Sequence, residues 1–275
     1  MIVLDVKNLG FSYDGGTKIL SDISFSVEEG EFVAILGANG AGKSTLLRLL
    51  NGLLKKYEGE IYIFGHSLKD IKRDELFKTI CTVFQDPNDQ LFAITVFDDI
   101  SFGPRNMGLS QNEVKSRVSK ALTDVGLEGF ESRPIKTLSY GQKKRLCIAG
   151  VLAMSPKIML MDEPLSGLDP MGVREIATLL KKLNKDNGLT VIMATHEVDM
   201  VPLFVDKVAV LSKGKLARYG EPGQVFDDKD EINKAKLRLP YIANLMSQLK
   251  DDGVIDFERM PLTVGEARRA LLSRL

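Results

Sequence analysis

The 275-residue sequence has no tryptophan, two cysteines, two histidines and no net charge, its 37 lysines and arginines being matched by 37 aspartates and glutamates. The charge balance leaves no global field to draw the chain onto nucleic acid or an anionic lipid surface, so no nucleic-acid partner is expected. Cys81 and Cys147 stand far apart, with neither a C-x-x-C pair nor metal-ligand spacing. That excludes a disulfide framework and predicts two reduced, buried thiols, as in a cytosolic protein. So few soft ligands also argue against a chain that itself ferries a soft or borderline metal. No apolar run approaches the roughly 20 residues that span a bilayer, so no direct membrane insertion is expected. The N-terminal MIVLDVKNLG alternates like a strand and lacks the basic and apolar regions of a signal peptide. Internal repeats at solenoid spacing and low-complexity segments are missing as well.

What is present is enough apolar content, 44%, to fill a core in one large domain with an appendage. Short runs rich in β-branched residues, FVAIL from Phe32, KIMLM from Lys157, LTVIMAT from Leu189 and KVAVL from Lys207, are apolar throughout. That is the pattern of parallel strands covered on both faces, and it predicts a layered α/β fold. ISFSVEEGE and GEIYIFG alternate more strictly and read as antiparallel strands. Between about 88 and 153 the strand signal gives way to a helical insert, where a capping box of Ser110 and Glu113 precedes Val114, Val118, Ala121, Leu122 and Val125 at helical spacing. The main domain is expected to cover 1–220. A helical extension over 221–275 carries the amphipathic stretches LPYIANLMSQLKDDG and TVGEARRALLSRL.

FVAILGANGAGKSTLLRLLNGLL contains G-x-x-x-x-G-K-[ST] at Gly37, Gly42, Lys43 and Ser44, after a strand and before a helix, the context a phosphate loop requires. Glycines let backbone N–H groups close around phosphate oxygens, the helix N-terminus adds positive partial charge, Lys43 reaches the β and γ phosphates, and the Ser44 hydroxyl can hold Mg²⁺. A second apolar strand ends in Asp162 and Glu163. A carboxylate at the C-terminal end of a parallel strand can hold Mg²⁺ through water, and an adjacent one can orient or deprotonate an attacking water. His196 ends the next strand, in position for a γ-phosphate contact, whereas His66 in FGHSL reads as surface loop. LSYGQ, from Leu138, opens a predicted helix with an apolar stripe, and begins it with the small hydroxyl, glycine and amide of an anion site.

Taken together these motifs resemble the ATP-binding subunits of ABC transporters over about the first 225 residues. Gln85 in VFQDPNDQ matches that family's glutamine loop, LSYGQ its signature, SGLD at Ser166 to Asp169 the loop that crosses between subunits, and Tyr13 in FSYDGG the aromatic that stacks on adenine. The resemblance implies a P-loop NTPase (RecA-like) core with an antiparallel β subdomain, a helical insert carrying the signature, and ATP and Mg²⁺ as cofactors. It places Tyr13, Gly37, Asn39, Gly40, Gly42, Lys43, Ser44 and Thr45 at the nucleotide, with Ser44, Gln85 and Asp162 at the metal. Glu163 is the implied general base, completed by His196, Gln85 and Lys43. In that family two ATPase domains pack head to tail, so Ser139, Gly141 and Gln142 would serve a partner chain's nucleotide and Asp169 would lie in the dimer loop. Tyr140 departs from the pattern, standing where the family has glycine, and the second ATPase is either an identical chain or a related one.

A narrower resemblance links QDPNDQLFAITVFDDISFGPRNMGLS and the C-terminal extension to the ATPases of energy-coupling-factor importers, in particular those for cobalt or nickel. It implies uptake of a small solute, cobalt ion first, through integral membrane transport subunits, with this chain peripheral at the cytoplasmic face. Asn88, Asp89, Gln90, Leu91 and Phe92 would then form the transmission surface. The reading from another class, a soluble ABC ATPase acting on chromosomes or ribosomes, calls for a long coiled coil or two ATPase domains in one chain. This sequence has neither.

Overall fold

The alternating N-terminal segment forms the strand Ile2–Ser12, which buries Val3, Leu4, Val6 and Leu9. It pairs antiparallel with Lys18–Glu28 on one side and Glu58–Ile63 on the other. The computed structural model describes residues 1–14 and 16–273; Gly15 of FSYDGG, and Arg274 and Leu275 at the end of TVGEARRALLSRL, lie outside the described residues. Two units make up the chain, Met1–Lys69 with Ala194–Leu275, and Asp70–Met193.

In the first unit the strand Phe32–Leu36 is buried on both faces and runs parallel to Lys207–Ser212, which pairs antiparallel with Lys215–Gly220. Unbroken apolar character is what such two-sided burial requires. His66 corrects the expectation of a loop: although exposed, it opens the two-residue strand His66–Ser67 and pairs with Ile63. Phe64 at φ 49 and Gly65 at φ 78 supply the two left-handed residues of a tight hairpin turn, which matches the right-handed twist of its strands. The segment after 221 holds the helices Pro222–Asp227, Lys229–Lys234, Tyr241–Asp251 and Val264–Leu272. It is tied back by Asp199, whose carboxylate accepts from the Arg238 guanidinium and, at 2.7 Å, from the Tyr241 N–H.

In the second unit Ile80–Val83 runs parallel to Ile158–Asp162. The helix Gln111–Val125 starts at the Ser110–Glu113 capping box, stops at left-handed Gly126, and buries the five residues its period predicts. The helix Tyr140–Leu152 differs from its expected single stripe. Leu146, Cys147, Ile148 and Ala149 are buried in succession, so its middle is enclosed on all sides, while Tyr140 at its start is exposed. Among the described residues no helix is long and apolar enough to cross a membrane.

Both cysteines are free and buried, and burial pushes each thiol up to about 12. Thiolate is the reactive species. At pH 8 the native protein is therefore expected to leave both thiols untouched by a disulfide-exchange reagent and to release two equivalents only in denaturant; two fast equivalents without denaturant would contradict the burial.

Candidate functional site

In the first unit the chain leaves Phe32–Leu36, turns through Gly37 to Gly42, and enters the helix Lys43–Leu50. Gly37 runs so close to the main chain that a Cβ there would stand 2.8 Å from the Leu211 carbonyl oxygen. Gly40 (φ 79) and Gly42 (φ 103) turn the loop in a conformation that L side chains rarely adopt. Lys43 is buried, and its ammonium donates to the Gly37 carbonyl at 2.8 Å, crossing the loop it closes. No side chain caps the N-terminus of this helix. A helix N-terminus presents N–H groups and positive partial charge, which suit an anion. Every charged side chain from Gly37 to Thr45 is a donor, since Lys43 is the sole ionisable residue there. A loop whose one ionisable side chain is cationic, set at a helix N-terminus, fits a chain of phosphates.

Asn39 and Gly40 are exposed on the loop's outer side, while Ser44 and Thr45 are half-buried in the helix's first turn. The Tyr13 hydroxyl lies 3.5 Å from Thr45 Oγ1, and its ring meets Phe11 edge-on at 4.8 Å, so the predicted adenine contact and the phosphate loop share one surface. His196 follows directly on the strand Thr190–Thr195, exposed, with Nε2 3.6 Å from Glu197 Oε1.

The second unit holds the other group. Asp162 is the last residue of the strand Ile158–Asp162. Glu163 turns at φ 46, left-handed for a residue with a Cβ, and is 7% exposed. Such a conformation costs of order 1–3 kcal/mol and persists only where its surroundings hold it. Gln85 and Glu163 are brought together through a residue that motif reading missed. Buried Lys144 donates to the main-chain carbonyl of Gln85 at 2.5 Å and to that of Glu163 at 3.5 Å. The available signal was a lysine on the same helical face as Cys147, Ile148 and Val151.

Ser139 is the N-cap of the helix Tyr140–Leu152: its Oγ accepts from the Gln142 N–H at 3.3 Å, and Gln142 Oε1 accepts from the Ser139 N–H at 3.0 Å. The amide oxygen of Gln142 is thus engaged within its own chain. Tyr140 packs over Gly167, where a Cβ would come within 3.0 Å of the ring. Asp169 caps the helix Pro170–Asn187, accepting from the Gly172 N–H at 2.7 Å. Of the residues expected at a transmission surface, Asn88 and Asp89 are exposed and Phe92 is 65% exposed. Gln90 turns inward instead, donating to the Cys147 carbonyl and accepting from the Phe84 N–H. Ile94, two residues on, is 81% exposed, whereas Val96 is buried.

Comparison with known proteins agrees with this geometry. The ABC transporter family model matches residues 20–166. A putative ABC transporter ATP-binding protein of Geobacter sulfurreducens is 50% identical over 269 residues, covering 98% of this chain and 96% of the relative. The energy-coupling factor transporter ATP-binding protein of Methanocaldococcus jannaschii is 48% identical over 277 residues, covering 100% and 99%. Among solved structures, cbiO1 of Clostridium perfringens, part of the ABC transporter complex cbiONQ, superposes with a TM-score of 0.78 at 45% identity, covering 90% of this chain and 99% of that one. A dimeric ATP-binding cassette in a post-hydrolysis state, bound to ADP and Pi, gives a TM-score of 0.71 at 33% identity, covering 80% and 98%. With ATP-binding members matched almost from end to end at close to half of all positions, the chain belongs to the ABC transporter family and is one of its ATPases.

Proposed function

We propose that this ATPase drives uptake of a small solute, cobalt ion, through separate integral membrane subunits of an energy-coupling-factor importer, from a peripheral position on the cytoplasmic face of the membrane. The observation that carries the reading is that similarity to proteins named as energy-coupling factor ATP-binding subunits runs through the C-terminal extension as well as the motif-bearing portion. Exposed Phe92, Ile94 and Phe102, the first and last in edge contact at 4.8 Å, support a membrane-subunit docking surface beside the glutamine loop. Cobalt rests on the subgroup resemblance.

In this reading Lys43 and the loop amides hold the phosphates, and Tyr13 holds the adenine. Ser44, Gln85 and Asp162 would hold Mg²⁺, which when bound would neutralise charge on the phosphate oxygens. Glu163 takes a proton from the water attacking the γ-phosphorus, and His196 steadies the γ-phosphate. Ser139 and Gly141 act on the nucleotide of a second ATPase chain, with Asp169 in the crossing loop, so that ATP joins the pair.

The test is isolation of the protein from gently solubilised membranes of its own source, with mass spectrometry of what accompanies it. A multi-spanning protein together with a small solute-binding membrane subunit is expected; recovery only from the soluble fraction with ribosomal or DNA-bound proteins would overturn the transport reading. Cobalt uptake should fall when the gene is deleted, and loss of nickel or vitamin uptake instead would reassign the solute.

A further inference from the structure

Lysine is seldom enclosed in a protein interior, yet Lys144 is only 1% exposed. A methionine of similar length would fill the same space without the penalty of a buried charge. What methionine cannot do is donate. The Lys144 ammonium donates to two carbonyl oxygens from segments far apart in sequence, Gln85 at 2.5 Å and Glu163 at 3.5 Å. Three donors on one ammonium allow both at once, and charge strengthens each bond. The Tyr140 ring, one helical turn back, lies 5.5 Å from the same nitrogen and covers Gly167. Burial draws the ammonium below its ordinary pKa, and the carboxylates of Asp86, Glu163 and Asp162 oppose that shift without cancelling it.

Both carbonyls belong to residues whose side chains have roles in the proposed reaction. Glu163 is moreover held at φ 46, a conformation that relaxes unless its surroundings fix it. We propose that Lys144 is a positioning residue for ATP hydrolysis, holding the backbone of Gln85 and of Glu163 to the signature helix so that the Glu163 carboxylate is presented to the attacking water. The proposal rests on Glu163 being the general base.

The test is a mutant cycle on the full-length chain, reading single-turnover ATP hydrolysis and the Kd for Mg-ATP. Lys144→Met keeps the stem and removes the donors; its hydrolysis rate should fall roughly 10- to 100-fold while Kd changes less than about threefold. Lys144→Gln, a neutral donor, should lie between Lys144→Met and wild type, and it carries the cycle if the methionine variant does not fold. In a Glu163→Gln background the same changes should lower the residual rate by clearly less than in the wild-type background, because no base remains to be misplaced and only the Gln85 part of the effect is left. Wild-type rates in both Lys144 variants would overturn the proposal. So would losses that multiply undiminished in the Glu163→Gln background, or a Kd that rises in step with the lost rate, as expected of a purely structural lysine. The Glu163→Gln protein alone reports on the base assignment: full turnover there would remove that assignment whatever the lysine variants do.

Discussion

Glu163→Gln is expected to lower ATP turnover by roughly 10²- to 10⁴-fold while ATP binding persists. Glutamine has the shape of glutamate and keeps one acceptor oxygen, with an NH2 donor in place of the other, so the space around this largely buried side chain need not change. What is lost is basicity. The phosphate-holding groups, Lys43 and the loop from Gly37 to Thr45, are untouched, which is why affinity and rate should separate. Turnover close to wild type would remove Glu163 as the base. The same protein, able to bind ATP and slow to spend it, should double its mass in light scattering at saturating Mg-ATP. A mass that stays monomeric would instead point to a related chain as the second ATPase.

Gly42→Ala should damage the phosphate loop more than Gly40→Ala. The residue is held at φ 103, and its added Cβ would meet Cδ2 of fully buried Leu20 at 2.6 Å. Backbone strain of about 1–2 kcal/mol, and overpacking at the low end of its range, about 1–2 kcal/mol, because Leu20 Cδ2 is the end of a flexible side chain, add to about 2–4 kcal/mol. If the loop keeps its form, the penalty appears as lost stability. If the loop shifts to relieve it, ATP affinity falls instead, by roughly 30- to 1,000-fold at 1.4 kcal/mol per decade. Gly40→Ala is the control: at φ 79 with nothing within 4 Å of its Cβ, it bears only the backbone part, about 1–2 kcal/mol. Urea unfolding without nucleotide, together with an ATP titration, measures both routes. A Gly42→Ala protein matching wild type in each would show that the loop does not need this conformation.

These two residues differ in how they became legible. Gly42 stands in a linear pattern whose chemistry is local: glycine, lysine and hydroxyl at fixed spacing between a strand and a helix. The same holds for the capping box at Ser110, where donor and acceptor are three residues apart, and for the apolar strand runs. Glu163 was readable as a residue type beside Asp162, but its left-handed backbone was not, because non-glycine residues enter that region only under constraint from neighbours. His66 was misread for a related reason, since a two-residue strand exists only through the partner it pairs with.

The sequence by itself determined the layered α/β class, the phosphate loop, the strand-end carboxylates and the resemblance to ABC ATPases, all carried by short-range patterns of residue type. Only the tertiary structure decided that Lys144 bridges carbonyls at positions 85 and 163, that Tyr140 covers Gly167, and that Asp199 anchors Arg238 and Tyr241. Each of those contacts joins residues between 19 and 59 positions apart. No periodicity encodes such a pairing, because it is fixed by how whole elements pack and by the need of every buried donor and acceptor to find a partner.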